Sequence, residues 1–404
     1  MIPRFKPFLG TAEMASLLCP PAPDAVVLFE GEFAHLFEAK HALAFPYGRS
    51  ALWAFFKAMG IEGIEVIMPA YTCSVVAHAV FLSGNIPRFV DITLHDYNMN
   101  LDEVETTINE RTGAVIATHL FGYPLDVERL FEIVREAEKR YEHKIWIIQD
   151  CAHSFGARWH GRLVCNVGDV ALFGTGISKT ITSIFGGMLT LDDSRVAARL
   201  RDWREAHFVR SGPGKTLKRT IYLIQTRLAF SRLFYGLINW VEENTTLLDG
   251  YSKAFHKDGK IRFPPDSSDQ MSSLEAAIGR IQLRKYEQIV VHRQAVVRQY
   301  DEQLPKVVGW AYPPIIAGAT YSHYVIRVPD RQGVIRAAAR NGIQLGQLIE
   351  YSIPHMDCYR EFVAGKEFPN SLLCSCHTIN LPVHMYVNEN VVRAICNVFK
   401  HMEI

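Results

Sequence analysis

Between about residues 43 and 192, the sequence alternates short apolar runs with longer segments of helical spacing, and this alternation narrows the choice of fold most strongly. The apolar runs are residues 42–45, 65–68, 86–90, 114–118, 144–149 and 170–173. Runs that are apolar throughout, and not only at every second residue, are typical of strands buried on both faces. Strands that alternate with helices indicate crossover connections. We therefore expect a large α/β domain with a mostly parallel, mixed sheet.

The pattern changes after this region. The predicted elements are a charged helix (195–205), an amphipathic helix (220–241), a loop (256–269), a long helix (271–304), a strand (321–328) and two helices (333–340 and 388–401). A chain of 404 residues usually needs more than one hydrophobic core. We expect residues 1–250 to form the large domain, with a helical insertion at about 205–250, and residues 251–404 to form a smaller α+β domain.

The composition is that of an ordinary soluble protein. Its 43 Lys and Arg residues balance 42 Asp and Glu residues, so the net charge does not indicate nucleic-acid binding. Eight cysteines are too few for a disulfide-stapled secreted fold, and we expect reduced thiols in the cytoplasm. Cys374 and Cys376 are expected on one face of a strand, and we predict no metal site. Arg227 and Arg232 interrupt residues 220–241, which excludes a membrane span there.

Ligands of open parallel sheets bind at the carboxyl ends of the strands, so the residues after each predicted strand are the candidates. Gly48, Arg49 and Ser50 open a helix after the first strand and could bind phosphate through backbone N–H groups and a guanidinium. Asp150 ends the fifth strand, where a carboxylate needs a cation. Lys179 follows after the sixth strand. A phosphate site, a carboxylate and a lysine are the partners that pyridoxal 5'-phosphate requires.

Ordered motifs extend this pattern over roughly residues 40 to 400. They lie at residues 48–52, 69–72, 89–91, 119–126, 150–156, 168–169, 173–179, 186–187, 271–283 and 381–384. In this order they resemble the DegT/DnrJ/EryC1/StrS family of sugar aminotransferases, within the fold-type I pyridoxal phosphate enzymes. The resemblance implies that fold: a large, mostly parallel sheet domain and a smaller C-terminal α+β domain.

The resemblance also implies roles for individual residues. Lys179 would hold the cofactor covalently and later move a proton between carbon atoms. Asp150 would pair with the pyridine nitrogen, and His153 would lie near the phenolic oxygen of the ring. The remaining cofactor positions would be Gly48, Arg49, Ser50, Cys73 and Gly174.

Several of these positions depart from the family pattern. Gly174 stands where the family has a phosphate-binding serine, and Cys73 stands where it often has an aromatic residue that stacks on the ring. The other departures are Arg49 in place of threonine, Ile184–Phe185 in place of Gly-Glu, and no asparagine near Ser268. We predict that Arg49 replaces the lost phosphate contacts. We also predict that Tyr71 covers the ring in place of Cys73.

The resemblance implies a homodimeric aminotransferase that acts on small molecules. It would move an amine from an amino acid, with glutamate as the expected donor, to a keto group. The expected acceptor is a nucleotide-linked keto sugar for polysaccharide, lipopolysaccharide or natural-product biosynthesis. The nucleotide and the keto position, 3 or 4, stay open.

Other interpretations also remain. One is a dehydratase of the same family, in which histidine replaces the lysine, and another is a pyridoxal phosphate-binding protein without turnover. Residues 220–241 could be a packing helix or subunit contact, or an interfacial helix that contacts a membrane or a partner glycosyltransferase.

Overall fold

The computed structural model describes residues 1–18, 21–231, 234–236, 260–363 and 365–402. Its main sheet has seven strands: β1 (His41–Phe45), β2 (Glu65–Pro69), β3 (Ile86–Val90), β4 (Thr112–Thr118), β5 (Trp146–Asp150), β8 (Val170–Gly174) and β9 (Gly187–Leu191). β6 (Arg158–Trp159) and β7 (Arg162–Leu163) form a short hairpin. The spatial order is β1-β9-β8-β5-β4-β2-β3. The large, mostly parallel mixed sheet is therefore confirmed.

All six predicted strands are present. β2 and β4 are buried at every residue, whereas the edge strand β3 leaves Ile86 and Arg88 half-buried. The pairs β3·β2, β2·β4, β4·β5 and β5·β8 are parallel, while β9 pairs antiparallel with both β8 and β1. The sequence did not predict β9, which starts with a glycine and brings the chain back along β8. The segment that contains Lys179 therefore connects two neighbouring antiparallel strands, β8 and β9.

Helices cover the faces of this sheet. They are α1 (Thr11–Ala15), α2 (Ala25–Leu36), α3 (Gly48–Met59), α4 (Ser74–Leu82), α5 (Leu101–Thr107), α6 (Val127–Tyr141) and α7 (Ser194–His207). The helical spacing predicted between the strands is thus confirmed, for example in α3 and α6, and the charged helix predicted at 195–205 is α7.

The amphipathic helix begins earlier than predicted. It is α8 (Pro213–Ala229), and its first turn has Gly212 as the cap and Pro213 at a position that tolerates a missing N–H. The predicted start at residue 220 was wrong because Lys215 and Arg219, although charged, lie on the buried side of the helix. Of the predicted helix, residues 232–233 and 237–241 lie outside the described residues. The same holds for residues 256–259 of the predicted loop.

The long helix predicted at 271–304 is instead two helices, α9 (Ser273–Leu283) and α10 (Tyr286–Gln303). The chain turns between them, where the Lys285 N–H donates to the Gln282 carbonyl (3.0 Å). The turn lets α9 pack on α2 beside the main sheet, while α10 contributes Val297 and Tyr300 to a second core. A straight helix could not serve both cores.

The second core surrounds a two-stranded antiparallel sheet of β10 (Tyr324–Arg327) and β11 (Thr378–Leu381). Around it lie α11 (Arg331–Arg340), α12 (Pro369–His377) and α13 (Glu389–His401). Cys374 and Cys376 lie on α12, so their predicted place on a strand was wrong. Their spacing of two residues puts Cys374 inside and Cys376 on the surface. None of the described helices is long and apolar enough to cross a membrane.

Candidate active site

Asp150 occupies the carboxyl end of β5 and is almost fully buried. Its Oδ1 accepts a hydrogen bond from the Ala152 N–H (3.1 Å), and its Oδ2 accepts one from the Thr118 hydroxyl (3.4 Å). Burial raises the pKa of Asp150, whereas these hydrogen bonds and the nearby Lys179 act in the opposite direction. The carboxylate is therefore held in one orientation at the strand ends, where it can serve a cationic partner.

Lys179 follows β8 in a turn in which its own N–H donates to the Gly176 carbonyl (3.0 Å). Its side chain returns toward the strand end, so that a Cβ on Gly174 would stand 3.6 Å from the Lys179 Cε. Burial lowers the pKa of Lys179, and the neighbouring Cys73 and Asp150 oppose this shift. The lysine amine and the Asp150 carboxylate thus belong to one site.

The start of α3 lies against the same strand end. A Cβ on Gly48 would be 3.5 Å from the Gly174 Cα, and one on Gly187 would overlap the backbone nitrogen of Gly48. The first N–H groups of a helix have no partner within it, and they favour an anion. The Ser50 hydroxyl donates to the Ser267 carbonyl (2.7 Å), so it connects α3 to the loop before α9.

Arg49, Cys73 and Tyr351 lie close together beside this helix start. The Arg49 guanidinium lies 5.4 Å from the ring centre of Tyr47. Burial lowers the pKa of Arg49, and the nearby Cys73 opposes the shift. Tyr351 accepts a hydrogen bond from the Ser74 N–H (3.0 Å). Arg49 therefore adds a cation to the anion-binding end of α3.

The prediction for Tyr71 was wrong. Its side chain is fully buried in the second core, and its hydroxyl is hydrogen-bonded to Thr378 (2.9 Å). None of its side chain is exposed, so it offers no free face on which a cofactor ring could lie. Tyr351 is the aromatic side chain that approaches Cys73, because its hydroxyl interacts with that thiol.

Two imidazoles lie next to the lysine. The His153 ring stacks on Phe121 with the ring centres 6.2 Å apart. The centre of the His323 ring lies 5.3 Å from that of His153. Burial lowers the pKa of His153 well below its usual value and that of His323 to about 3, with Lys179 and Arg293 adding to both shifts. Both rings are therefore neutral near pH 7. His153 Nδ1 is buried and has no hydrogen-bond partner among the described residues.

Sequence reasoning missed His323 because it lies 170 residues from His153 in the chain. Its position just before β10, in the Ser322–His323 pair, was the only available signal. Arg293 on α10 positions this segment by donating to the Ser322 carbonyl (2.6 Å). Arg293 and Lys6 also line a cavity that opens beside Lys179.

A buried ionic cluster that the sequence did not suggest anchors α8 next to the site. Arg219 forms ion pairs with Asp266 (2.6 Å) and with the fully buried Glu275 (2.7 Å). The Tyr47 hydroxyl, just before α3, donates to Asp266 (2.8 Å). The cluster therefore links the anion-binding helix start to α8 and α9.

The Ile184–Phe185 pair lies between Lys179 and β9. Ile184 has a φ of 74°, a left-handed conformation that a β-branched residue rarely adopts. Phe185 is covered by the Arg219 guanidinium, 4.2 Å from the centre of its ring. The ionic cluster thus also holds the segment that carries the chain from the lysine to β9. Among the residues described, no group of His, Cys, Asp and Glu could hold a metal ion.

Comparison with known proteins identifies a family and several related aminotransferases. The family model described as the DegT/DnrJ/EryC1/StrS aminotransferase family matches residues 23–400. The chain is 26% identical to the GDP-perosamine synthase of Caulobacter vibrioides over 374 residues, which is 90% of this chain and 86% of that protein. It is 25% identical to the dTDP-4-dehydro-2,3,6-trideoxy-D-glucose 4-aminotransferase of Saccharopolyspora spinosa over 412 residues, 99% of this chain and 96% of that one.

Solved structures share the fold. The sugar aminotransferase CalS13 from Micromonospora echinospora superposes with a TM-score of 0.76 at 20% identity, covering 99% of both chains. PseC from Helicobacter pylori, an aminotransferase involved in the biosynthesis of pseudoaminic acid, gives a TM-score of 0.76 at 17% identity, covering 99% of this chain and 98% of that chain.

Proposed function

This chain belongs to the DegT/DnrJ/EryC1/StrS aminotransferase family, and from that premise we propose that it aminates a nucleotide-linked keto sugar, with glutamate as the amine donor. The observation that carries the proposal is the convergence of Asp150, Lys179 and the start of α3 at one end of the sheet. A buried carboxylate, an amine and an anion-binding helix start are the groups that this chemistry requires.

The residues at the strand ends fit pyridoxal 5'-phosphate. Asp150 would pair with the pyridine nitrogen, and Lys179 would hold the aldehyde carbon. His153 has a buried Nδ1 that lacks a partner among the described residues, and it would contact the phenolic oxygen. The start of α3, with Arg49 beside it, would bind the phosphate. When bound, the cofactor would supply an electron sink for a carbanion next to the substrate nitrogen.

The chain's own residues would provide the proton transfer and the orientation. Burial lowers the pKa of Lys179, which raises the fraction of neutral amine that can accept a proton near pH 7. Thr118 and the Ala152 N–H keep the Asp150 carboxylate fixed while this occurs. The neutral His153 and His323 can accept or donate hydrogen bonds without adding charge.

Lys179 also distinguishes between the alternatives. The related sugar dehydratases have histidine at this position, so a lysine favours transamination. A binding protein without turnover could also use Asp150 and Lys179 to hold the cofactor. Turnover with glutamate therefore separates an enzyme from such a protein.

The proposed acceptor follows from the relatives and from the charge beside the site. The two relatives named above carry GDP-linked and dTDP-linked sugars in their names. Lys6 and Arg293 lie near Lys179, and their positive charge favours a substrate that carries a negative diphosphate. We propose a homodimer that acts in the cytoplasm, and the free state of all seven described cysteines is consistent with a reducing compartment.

An absorbance titration tests the proposal. Purified protein with pyridoxal phosphate should develop a visible band, which glutamate should shift while 2-oxoglutarate is released in a single turnover. Lys179→Ala should abolish the shift, and Lys400→Ala, at an exposed lysine, should leave it unchanged. The amine-loaded protein is then mixed with GDP-linked and dTDP-linked keto sugars. A band that no amino acid alters would refute the transamination.

A further inference from the structure

Helix α8 has a line of apolar side chains on its outer surface. Leu217, Ile221, Ile224 and Leu228 are 60%, 46%, 42% and 52% exposed. Their spacing of four, three and four residues places them along one side of the helix, and we call this line the outer stripe. Isolated exposed apolar residues are common on proteins, but a continuous line over three helical turns is not.

The opposite side of α8 fixes the direction of the stripe. Lys215 donates to the Gln270 carbonyl (2.7 Å), Arg219 pairs with the buried Glu275, and Leu223 enters a small core with Ile278. Turning the helix to hide the stripe would break these buried contacts. The stripe therefore points away from the body of the protein.

Basic side chains border the stripe on both sides. With 100° between successive residues, the exposed Lys218 lies about 90° to one side of the stripe and the exposed Arg227 about 90° to the other. Helix α8 has no acidic residue. In the sequence, residues 206–241 contain six Lys and Arg and no Asp or Glu. The charged residues that α8 itself places beside the stripe are thus all basic.

We propose that the outer stripe of α8 rests in the interfacial layer of an anionic membrane, with the helix parallel to the surface. In this orientation the apolar side chains of the stripe would contact the acyl chains. The basic side chains at its flanks would contact the negatively charged headgroups. This contact is peripheral, since no described helix can span a bilayer. It is independent of the transamination proposed above.

The charge pattern favours lipid over a second copy of the chain. If two copies met symmetrically through their stripes, Lys218 and Arg227 of one would face the same residues of the other. With no acidic residue on α8, these charges would repel each other. An anionic lipid surface supplies the negative groups that the border lacks.

The membrane contact should be weak and sensitive to salt. One short stripe gives marginal apolar anchoring, so the basic border must add to it, and added salt screens that part. Binding should therefore need both anionic lipid and low to moderate ionic strength. Neutral vesicles should retain little protein.

Vesicle co-sedimentation of the full chain provides the test. The probes are vesicles of phosphatidylcholine with phosphatidylglycerol and vesicles of phosphatidylcholine alone. The stripe variant replaces Leu217, Ile221, Ile224 and Leu228 with serine. The matched control replaces Val291, Val308 and Ile315, which are 55%, 98% and 51% exposed at other places, with serine. A charge variant combines Lys218→Glu with Arg227→Glu.

The parent and the matched control should bind the anionic vesicles, and the stripe variant should bind at least about tenfold more weakly because apolar anchoring is lost. The charge variant should also lose binding, and salt should release the parent. An unchanged thermal midpoint shows that a variant is folded. The proposal is overturned if the parent does not sediment with anionic vesicles or if the stripe variant binds as well as the parent. A stripe variant with a lower oligomeric mass would overturn it in favour of a protein interface.

Discussion

The Lys179 side chain lies over Gly174 with space for one more atom between them, since a Cβ on Gly174 would stand 3.6 Å from the Lys179 Cε and 3.7 Å from the Ala152 Cβ. Both are ordinary contact distances, so a small side chain fits at this position. Gly174 is also the position at which the family has a phosphate-binding serine. The missing hydroxyl is therefore a difference in chemistry and not a steric requirement.

Gly174→Ser should accordingly strengthen the binding of pyridoxal phosphate. One added hydrogen bond to the phosphate is worth about 1 kcal/mol, or about a fivefold lower Kd. Absorbance titration of the apo protein measures the change. Gly31→Ser, whose Cβ would have no neighbour within 4 Å, serves as the control. An equal or higher Kd for Gly174→Ser would mean that the hydroxyl does not reach the phosphate.

Arg49→Ala should weaken pyridoxal phosphate binding by about tenfold, because a charge-assisted contact to the phosphate is lost. Arg49→Lys should recover only part of it, since lysine cannot form two parallel hydrogen bonds. Equilibrium dialysis at fixed ionic strength measures both, with the exposed Arg336→Ala as a control. A variant without Arg49 that retains the parent Kd would show that α3 binds the phosphate unaided.

Asp150→Asn should slow the single-turnover reaction with glutamate on the order of 100-fold, because a neutral amide cannot stabilise a positively charged pyridine nitrogen. The amide preserves size, its oxygen can still accept from the Ala152 N–H, and its NH2 group can donate to the Thr118 hydroxyl. Rapid-mixing absorbance gives the rate, and Asp202→Asn on the surface is the control. A rate within a factor of about three of the parent would remove Asp150 from this role.

Arg219→Met should lower the free energy of unfolding by about 3–5 kcal/mol, since it leaves the buried Glu275 carboxylate without its cation. Adding Glu275→Gln in the same chain should restore part of the loss by removing the unpaired charge. Urea unfolding measures both. Arg129→Met, which breaks an exposed pair with Asp102, should cost less than about 1 kcal/mol. Equal losses in the two single variants would contradict the importance of the buried cluster.

His119 should make the protein sensitive to acid. Its Nδ1 accepts a hydrogen bond from the Leu125 N–H (2.9 Å), and burial lowers the pKa of His119 to about 4. In the unfolded chain, His119 should have a pKa of about 6.5. The free energy of unfolding should therefore be unaffected by His119 above that pH. It should fall by about 3 kcal/mol in total as the pH decreases toward 4. Urea unfolding at several pH values measures this slope. His119→Asn, which can still accept from Leu125, should reduce it, and an unchanged slope would assign the effect to other groups.

The main sheet could be predicted because its strands are buried on both faces, which leaves a continuous apolar run in the sequence. Strand β9 could not, since Gly187 begins it and the strand's place is set by pairing with β8 and β1. Asp150 and Lys179 became candidates through their joint arrangement after strands and through the family motifs, and the structure brings them together. His323 and Arg219 were not candidates, because each acts through partners distant in sequence. Arg219 has no local signal, and His323 has only its position just before β10.

The tight packing at Gly187 has a consequence for how a chain of this kind can diverge. Position 174 has room for a small side chain, so a substitution there need not move the backbone. At position 187 even alanine would push against the backbone at the start of α3 and shift that helix start away from Lys179. A saturation library should therefore retain small residues such as alanine and serine at 174 and almost none but glycine at 187, although the two positions pair across neighbouring strands.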